Sequence, residues 1–159
     1  MLDRSLQEYG QIELIGSSVV RTVNGQTVFE IPISEIKAIG EFTTSNGPFL
    51  DDWFLTLITK NEWHEIPMDV IGVDEFFLNL GEVLGVKLEY QLTNSTIWKT
   101  RIMYPESLKE RELYNMVKKR SKNFFKRFLG LKETVREISP EIINILLSVS
   151  VSPTEINNE

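Results

Sequence analysis

The chain of 159 residues contains no cysteine. That removes disulfides, thiolate zinc sites and thiol nucleophiles, and it fits a reducing compartment. Histidine occurs once, as His64, so no pair exists for a metal triad, and neither Ser17-Ser18 nor Ser148-Val149-Ser150 has a histidine set beside it by any known motif. The phosphate-cradling patterns G-x-G-x-x-G and G-x-x-x-x-G-K-[ST] are absent. No apolar run approaches the roughly 20 residues that span a bilayer. The longest, 142–151, is broken by Asn144 and two serines. The first ten residues lack the basic-then-apolar order of a secretory signal. These absences lead us to expect a cytoplasmic protein that is not an enzyme and has no cofactor. The carboxylates Asp51, Asp52, Asp69, Asp74 and Glu75 keep a carboxylate-based or metal-dependent enzyme as an alternative, although their spacing matches no EF-hand.

What is present is sorted by charge. Residues 1–90 hold five Lys/Arg against fifteen Asp/Glu, whereas 91–138 hold twelve against five. The whole chain carries −6, and its 42% hydrophobic and 25% charged residues are ordinary for a folded protein. An acidic front and a basic segment imply two surfaces with different partners, or one surface that holds the other. The expected domains are an antiparallel β-rich region with one helix over 1–104, a basic helical arm over 105–138, and a short apolar helix with a flexible tail over 139–159.

Turn chemistry places the first strands. Asn24-Gly25 suits a type I′ hairpin, which pairs Val23 with Gln26, Thr22 with Thr27, Arg21 with Val28 and Val20 with Phe29. Val20, Phe29 and Ile31 then share the core face, and the run 33–44 reads as a strand. Residues 44–52 read as a loop. A tight turn at Lys60-Asn61 sets Leu57 against His64, Leu55 against Ile66 and Trp53 against Met68. Both faces of that hairpin are apolar, so it belongs at the centre of a sheet. His64 reads as a packed, hydrogen-bonded residue. Residues 73–85 form a helix with Asp74 as N-cap, a Val73–Leu78 staple and Gly85 as C-cap; Phe77, Leu80 and Leu84 lie on one face. Strands follow at 86–92 and 97–103. Pro105 opens the long helical region, and Ser139-Pro140-Glu141 caps the last helix.

On a helical wheel, Leu113, Val117, Phe124, Phe128, Leu131, Val135 and Ile138 form one apolar stripe over 105–138. Lys118, Lys119, Lys122 and Lys126 gather opposite it, with Arg120 and Arg127 at the border, and Phe125 and Leu129 stand among the lysines. Large apolar groups set among cations suit a helix lying in lipid headgroups or in a partner's groove. The alternative is a solvated face, or lysines that meet the chain's own carboxylates. Gly130 interrupts the helix. The candidate binding residues are therefore Lys118, Lys119, Lys122, Phe125, Lys126 and Leu129. Nucleic acid is disfavoured as the anion, because the chain is acidic overall and has no recognition-helix, zinc or RNP-type signature.

The segments Trp-Phe-Leu-Thr-Leu-Ile-Thr (53–59), Glu-Trp-His-Glu-Ile-Pro-Met (62–68) and the helix after them resemble bacterial pleckstrin-homology-like domain proteins of uncharacterised function. Phe29-Glu30-Ile31-Pro32-Ile33-Ser34-Glu35-Ile36 is similar as well. The resemblance spans about two thirds of the chain and implies antiparallel strands ending at a helix. This chain departs from it, with about five strands before the helix rather than seven and two after. Members that bind phosphoinositides use basic residues between their first strands. Only Arg21 and Lys37 stand there, among acids, so headgroup binding at that place does not carry over. The expected fold is α+β: an antiparallel sheet or partly open barrel capped by a helix, with a C-terminal helical arm. The expected function is a non-catalytic interaction module with a protein partner. The alternative is peripheral docking on anionic membrane through the basic-aromatic helix.

Overall fold

The computed structural model describes residues 9–44, 53–93, 95, 97–120, 122, 124–130 and 132–148. The loop expected at 44–52 lies outside the described residues from position 45, and so does the tail from 149. The chain divides into two compact units, 1–111 and 112–159.

The first unit is an α+β assembly of two antiparallel sheets and one helix. Strands β1 (Gln11–Ile15), β2 (Ser18–Val23) and β3 (Gln26–Pro32) form a meander. Asn24 and Gly25 both take positive φ, 52° and 73°, as a type I′ turn requires. The pairs nearest the turn are those expected, Val23–Gln26 and Thr22–Thr27. Between Arg21 and Thr22 the register then shifts, so Arg21 pairs with Phe29 and Val20 with Glu30, in place of Val28 and Phe29. The cause is a bulge that leaves Val28 as an extra, outward residue. Ile31 consequently meets Val19, and both are buried.

The second sheet has the order β6 (Trp63–Pro67), β5 (Trp53–Ile58), β4 (Ala38–Thr43), β7 (Lys99–Tyr104). Its hairpin follows the Lys60-Asn61 reading: Leu57 pairs with His64, Leu55 with Ile66, and the Met68 N–H donates to Trp53 O at 3.2 Å. β5 is interior and nearly all buried. β6 is instead an edge strand with Trp63 exposed, so the hairpin is covered unevenly. The run from Ile33 begins with a 3-10 turn (Ile33–Glu35) before β4. His64 packs its ring 4.4 Å from Phe29; its Nε2 lies 3.2 Å from Glu62 Oε1 but is not aligned for a hydrogen bond.

Helix α1 (Val73–Leu84) ends as punctuated, with Gly85 left-handed at φ 66° and donating to Glu82 O. Its start differs. Gly72, at φ 82°, is the N-cap, no side chain caps the helix, and Leu78 is exposed rather than stapled to Val73. A Cβ at Gly72 would stand 2.7 Å from Ile12 O, so that close approach decides the residue at this position. Phe76, Phe77 and Leu80 enter the core with Ile12, Ile31, Leu55 and Ile66 from both sheets.

One charged group ties this unit together. Glu41 on β4 is wholly buried and faces Arg101 on β7. Its carboxylate accepts from Arg101 Nε at 2.9 Å and Nη2 at 2.6 Å, from Trp53 Nε1 at 2.7 Å, and from the N–H groups of Gln91 at 3.0 Å and Leu92 at 3.4 Å. Arg101 also donates to Glu110 Oε1 at 2.6 Å and to Glu89 O. Buried carboxylates persist where every lone pair is used. Residues 86–92, expected as a strand, join no sheet; these bonds hold the segment to the sheet instead.

The helical arm expected over 105–138 is not formed. Pro105 opens only a 3-10 turn (Glu106–Leu108), Glu110 reverses the chain at φ 67°, and Ile102 exchanges backbone bonds with Glu110 and Arg111. The first unit therefore runs to Arg111 rather than to Tyr104. In the second unit β8 (Tyr114–Arg120) and β9 (Lys132–Ile138) make an antiparallel ribbon joined through the short helix α2 (Phe124–Phe128). The spacing that mimics a helical stripe places Val117 directly opposite Val135, and the β-branched Val117, Thr134, Val135 and Ile138 favour that pairing. Gly130, at φ 70°, supplies the expected break. Helix α3 (Pro140–Ser148) starts as read, with Pro140 in first position and Ile142 and Ile143 donating to Ser139 O. The described strands form three separate sheets and close no barrel.

Candidate functional site

Lys118 through Lys132 holds seven basic residues and no acidic one. The ribbon sorts these charges by face, because residues directly opposite in an antiparallel pair point to the same side. Lys118 opposes Thr134, with Lys132 and Arg136 as its diagonal neighbours on the same face. Lys119 lies on the other face with Val117, Val135 and Glu137, and it forms an ion pair with Glu137. One face thus carries an ion pair, and among the described residues the charged groups on the other, Lys118, Lys132 and Arg136, are all cations. Arg136 lies over the Tyr114 ring at 5.3 Å. Among the described residues, Lys118, Lys122 and Lys132 have no carboxylate partner. Like charges set across strands cost stability, so an unneutralised face is a feature the fold tolerates rather than favours.

The tip between the strands adds apolar surface. Phe124, Phe128 and Leu129 are 74%, 82% and 60% exposed, and the Arg127 guanidinium stands 5.9 Å over the Phe124 ring. Three large apolar side chains on a turn of this size are far from the scattered single exposures of an ordinary surface.

Lys118 and Lys119 therefore sit on β8, Lys122 between β8 and α2, and Leu129 in the turn after α2; all four are exposed. Phe125 and Lys126 fall within α2, and their side chains lie outside the description. The strand geometry separates Lys118 from Lys119, which the helical wheel had joined, and commits Lys119 to Glu137. Phe124 and Phe128, which the helical wheel places on the apolar stripe opposite the lysines, are both outward. The sequence reading also passed over Lys132 and Arg136. The signal that finds them is the acid-free run itself, together with Gly130 as a turn residue rather than a flaw in a helix.

Of the carboxylates weighed for a cation, Asp51 and Asp52 lie outside the described residues, while Asp74 stands at the first turn of α1 beside Tyr90. No helix among the described residues is long and apolar enough to cross a membrane. Comparison of the chain with protein-family models, with curated proteins and with solved structures finds no match.

Proposed function

We propose that the chain is a non-catalytic module that docks on anionic membrane surfaces through the β8–β9 tip. The observation that carries this reading is that exposed Phe124, Phe128 and Leu129 occur in the same ribbon as Lys118, Lys122 and Lys132, which have no carboxylate partner among the described residues. A protein groove of matched shape would suit the three apolar groups. The acid-free run around them favours an extended anionic plane, which neutralises many cations at once without precise registry. Lys118, Lys122, Arg127 and Lys132 would each gain about 1 kcal/mol near such a plane, for roughly a thousand-fold in partition overall. Each phenylalanine ring that reaches the acyl boundary adds roughly 1.5–3 kcal/mol. Two weak signals together give stable attachment where one gives only marginal binding.

Vesicle co-sedimentation of the full chain tests the proposal. Phosphatidylserine vesicles should retain the protein far better than phosphatidylcholine vesicles, with the preference falling steeply as salt rises. Lys118→Glu, Lys122→Glu and Lys132→Glu together should abolish the preference. Phe124→Ser with Phe128→Ser should weaken binding to both vesicles and leave the salt slope intact. Equal retention on both vesicle types, or indifference to the charge reversals, would sink the reading.

A further inference from the structure

Thr134 stands at the middle of the cationic face of the β8–β9 ribbon and is itself exposed. Lys118 lies directly opposite it, and Lys132 and Arg136 lie two residues to either side. Arg120 takes the register position opposite Lys132. Directly opposed side chains in such a pair have Cβ atoms about 5 Å apart. Neighbours two residues along a strand are about 7 Å apart. A lysine side chain is long enough to span either gap. The ammonium groups of Lys118 and Lys132 can therefore meet over the Thr134 hydroxyl, which has no hydrogen-bond partner among the described residues. Arg136 holds its guanidinium over the Tyr114 ring at 5.3 Å and adds positive charge from that end of the ribbon.

Cations held this close call for more than one negative charge on a single group. A phosphodiester headgroup offers one charge on its phosphate and only two unesterified oxygens. A phosphomonoester carries about −1.5 to −2 at neutral pH and has three terminal oxygens. Those oxygens match the donors present, the Lys118 and Lys132 ammonium groups and the Thr134 hydroxyl, each giving a hydrogen bond to a charged acceptor. The source of the phosphate follows from the end of the same ribbon, where Phe124, Phe128 and Leu129 are exposed. A phosphate free in solution would leave those side chains in water, whereas a bilayer takes them into its acyl boundary.

We infer that the face around Thr134 receives the terminal phosphate of a phosphomonoester lipid, phosphatidic acid being the simplest of that class. Lys118 and Lys132 supply the countercharge, Thr134 donates the third hydrogen bond, and Arg136 strengthens the field. Headgroup selection of this kind rests on the docking proposed for the ribbon tip and refines it.

The test is co-sedimentation of the full chain with two sets of phosphatidylcholine vesicles, one doped with phosphatidic acid and one with phosphatidylserine, matched in surface potential. Retention should be about tenfold stronger on phosphatidic acid, the worth of one hydrogen bond to a charged group. Thr134→Val keeps the β-branched shape that suits a strand and should lose most of that preference. Thr134→Ser restores the hydroxyl and should keep it. In a parallel NMR titration without lipid, glycerol phosphate should shift the amides of Lys118, Lys132 and Thr134, and the diester glycerophosphoserine should not. Equal retention on the matched vesicles, equal or absent shifts with the two soluble esters, or indifference to Thr134→Val would each overturn the headgroup selection while leaving the docking intact. Absence of retention on every anionic vesicle would refute both. Glycerol phosphate shifts in that case would make a free phosphomonoester the ligand and exclude the lipid.

Discussion

Replacing Glu41 with methionine should cost the first unit about 3–5 kcal/mol. Breaking a buried ion pair on one side leaves an uncompensated charge, and that is its usual penalty. Arg101 would keep Glu110 and the Glu89 carbonyl, which limits the loss on its side. Trp53 Nε1 and the amides of Gln91 and Leu92 would lose the carboxylate they share as acceptor. The discriminating experiment is the double variant Glu41→Met, Arg101→Met. A buried pair that serves only as charge and countercharge can be exchanged for apolar residues at little or no cost. Here three neutral donors also end on the carboxylate, and each buried donor left bare costs roughly 1–3 kcal/mol. The double variant should therefore stay at least about 2 kcal/mol below the parent in urea unfolding. Hydrogen exchange at Gln91 and Leu92 should accelerate in Glu41→Met and in the double variant, and much less in Arg101→Met. Full recovery of stability in the double variant would refute the view that Glu41 anchors residues 89–92.

Gly81 sits inside α1, where alanine ordinarily gains about 1 kcal/mol. A Cβ there would stand 2.9 Å from Val86 O, a backbone atom that cannot swing aside, so Gly81→Ala should instead lower the urea midpoint by the equivalent of about 1 kcal/mol or more; a raised midpoint would be the contrary result. Burial, then the nearby Asp74 and Glu41 carboxylates, raise the Tyr90 phenol well above its ordinary value. The fold thus favours the neutral phenol, and its contribution is intact below a pH of about 10 and is lost as pH rises from there through the folded-state value. Tyr90→Phe should flatten that alkaline decline, whereas an ultraviolet titration with every tyrosine ionising normally would contradict it. On the ribbon, Lys118→Gln with Lys132→Gln should raise thermal stability by a few tenths of a kcal/mol and weaken retention on anionic vesicles at least tenfold. A loss of stability would mean that these cations have partners within the protein.

The sequence was most legible where local chemistry decides the outcome. Asn24-Gly25, Lys60-Asn61 and Gly85 each act through the backbone conformations their own residues permit, and each ends its element where expected. Reading failed where a distant atom decides. The bulge at Arg21/Thr22 displaces one residue between two strands and leaves no mark in the alternation of either. Gly72 is required by the Ile12 carbonyl, sixty positions earlier in the chain. Residues 86–92 have strand periodicity, but their backbone bonds go to the side chains of Glu41 and Arg101 and to Gly81 of α1 rather than to another strand. The basic region misled for a different reason. Apolar residues spaced for a helix are also spaced to meet across a hairpin when a turn falls midway, and Val117 opposite Val135 satisfies both patterns. The choice between them rested on Gly130, which breaks a long helix but ends a short one at little cost.

Charge segregation along the sequence gains a physical meaning from that correction. On a single helix, cations that cluster on one side can shed much of their repulsion into water, and a bland solvated face is the simplest account. On a two-stranded ribbon, side chains of opposite strands are held close by the ladder. The neutral solution is available to this sequence, since Lys119 and Glu137 use it one face away. Among the described residues Lys118 and Lys132 do without it, in a ribbon whose connecting helix exposes Phe124 and Phe128. Repulsion between them is relieved when an anion arrives, and that relief adds to the attraction of each cation for the anion. The same ribbon with glutamate at position 134 would be more stable and should bind anionic vesicles less well. Thr134→Glu therefore separates the two accounts in one variant. A gain in stability with lost retention supports a docking face, and unchanged retention would return the lysines to solvent.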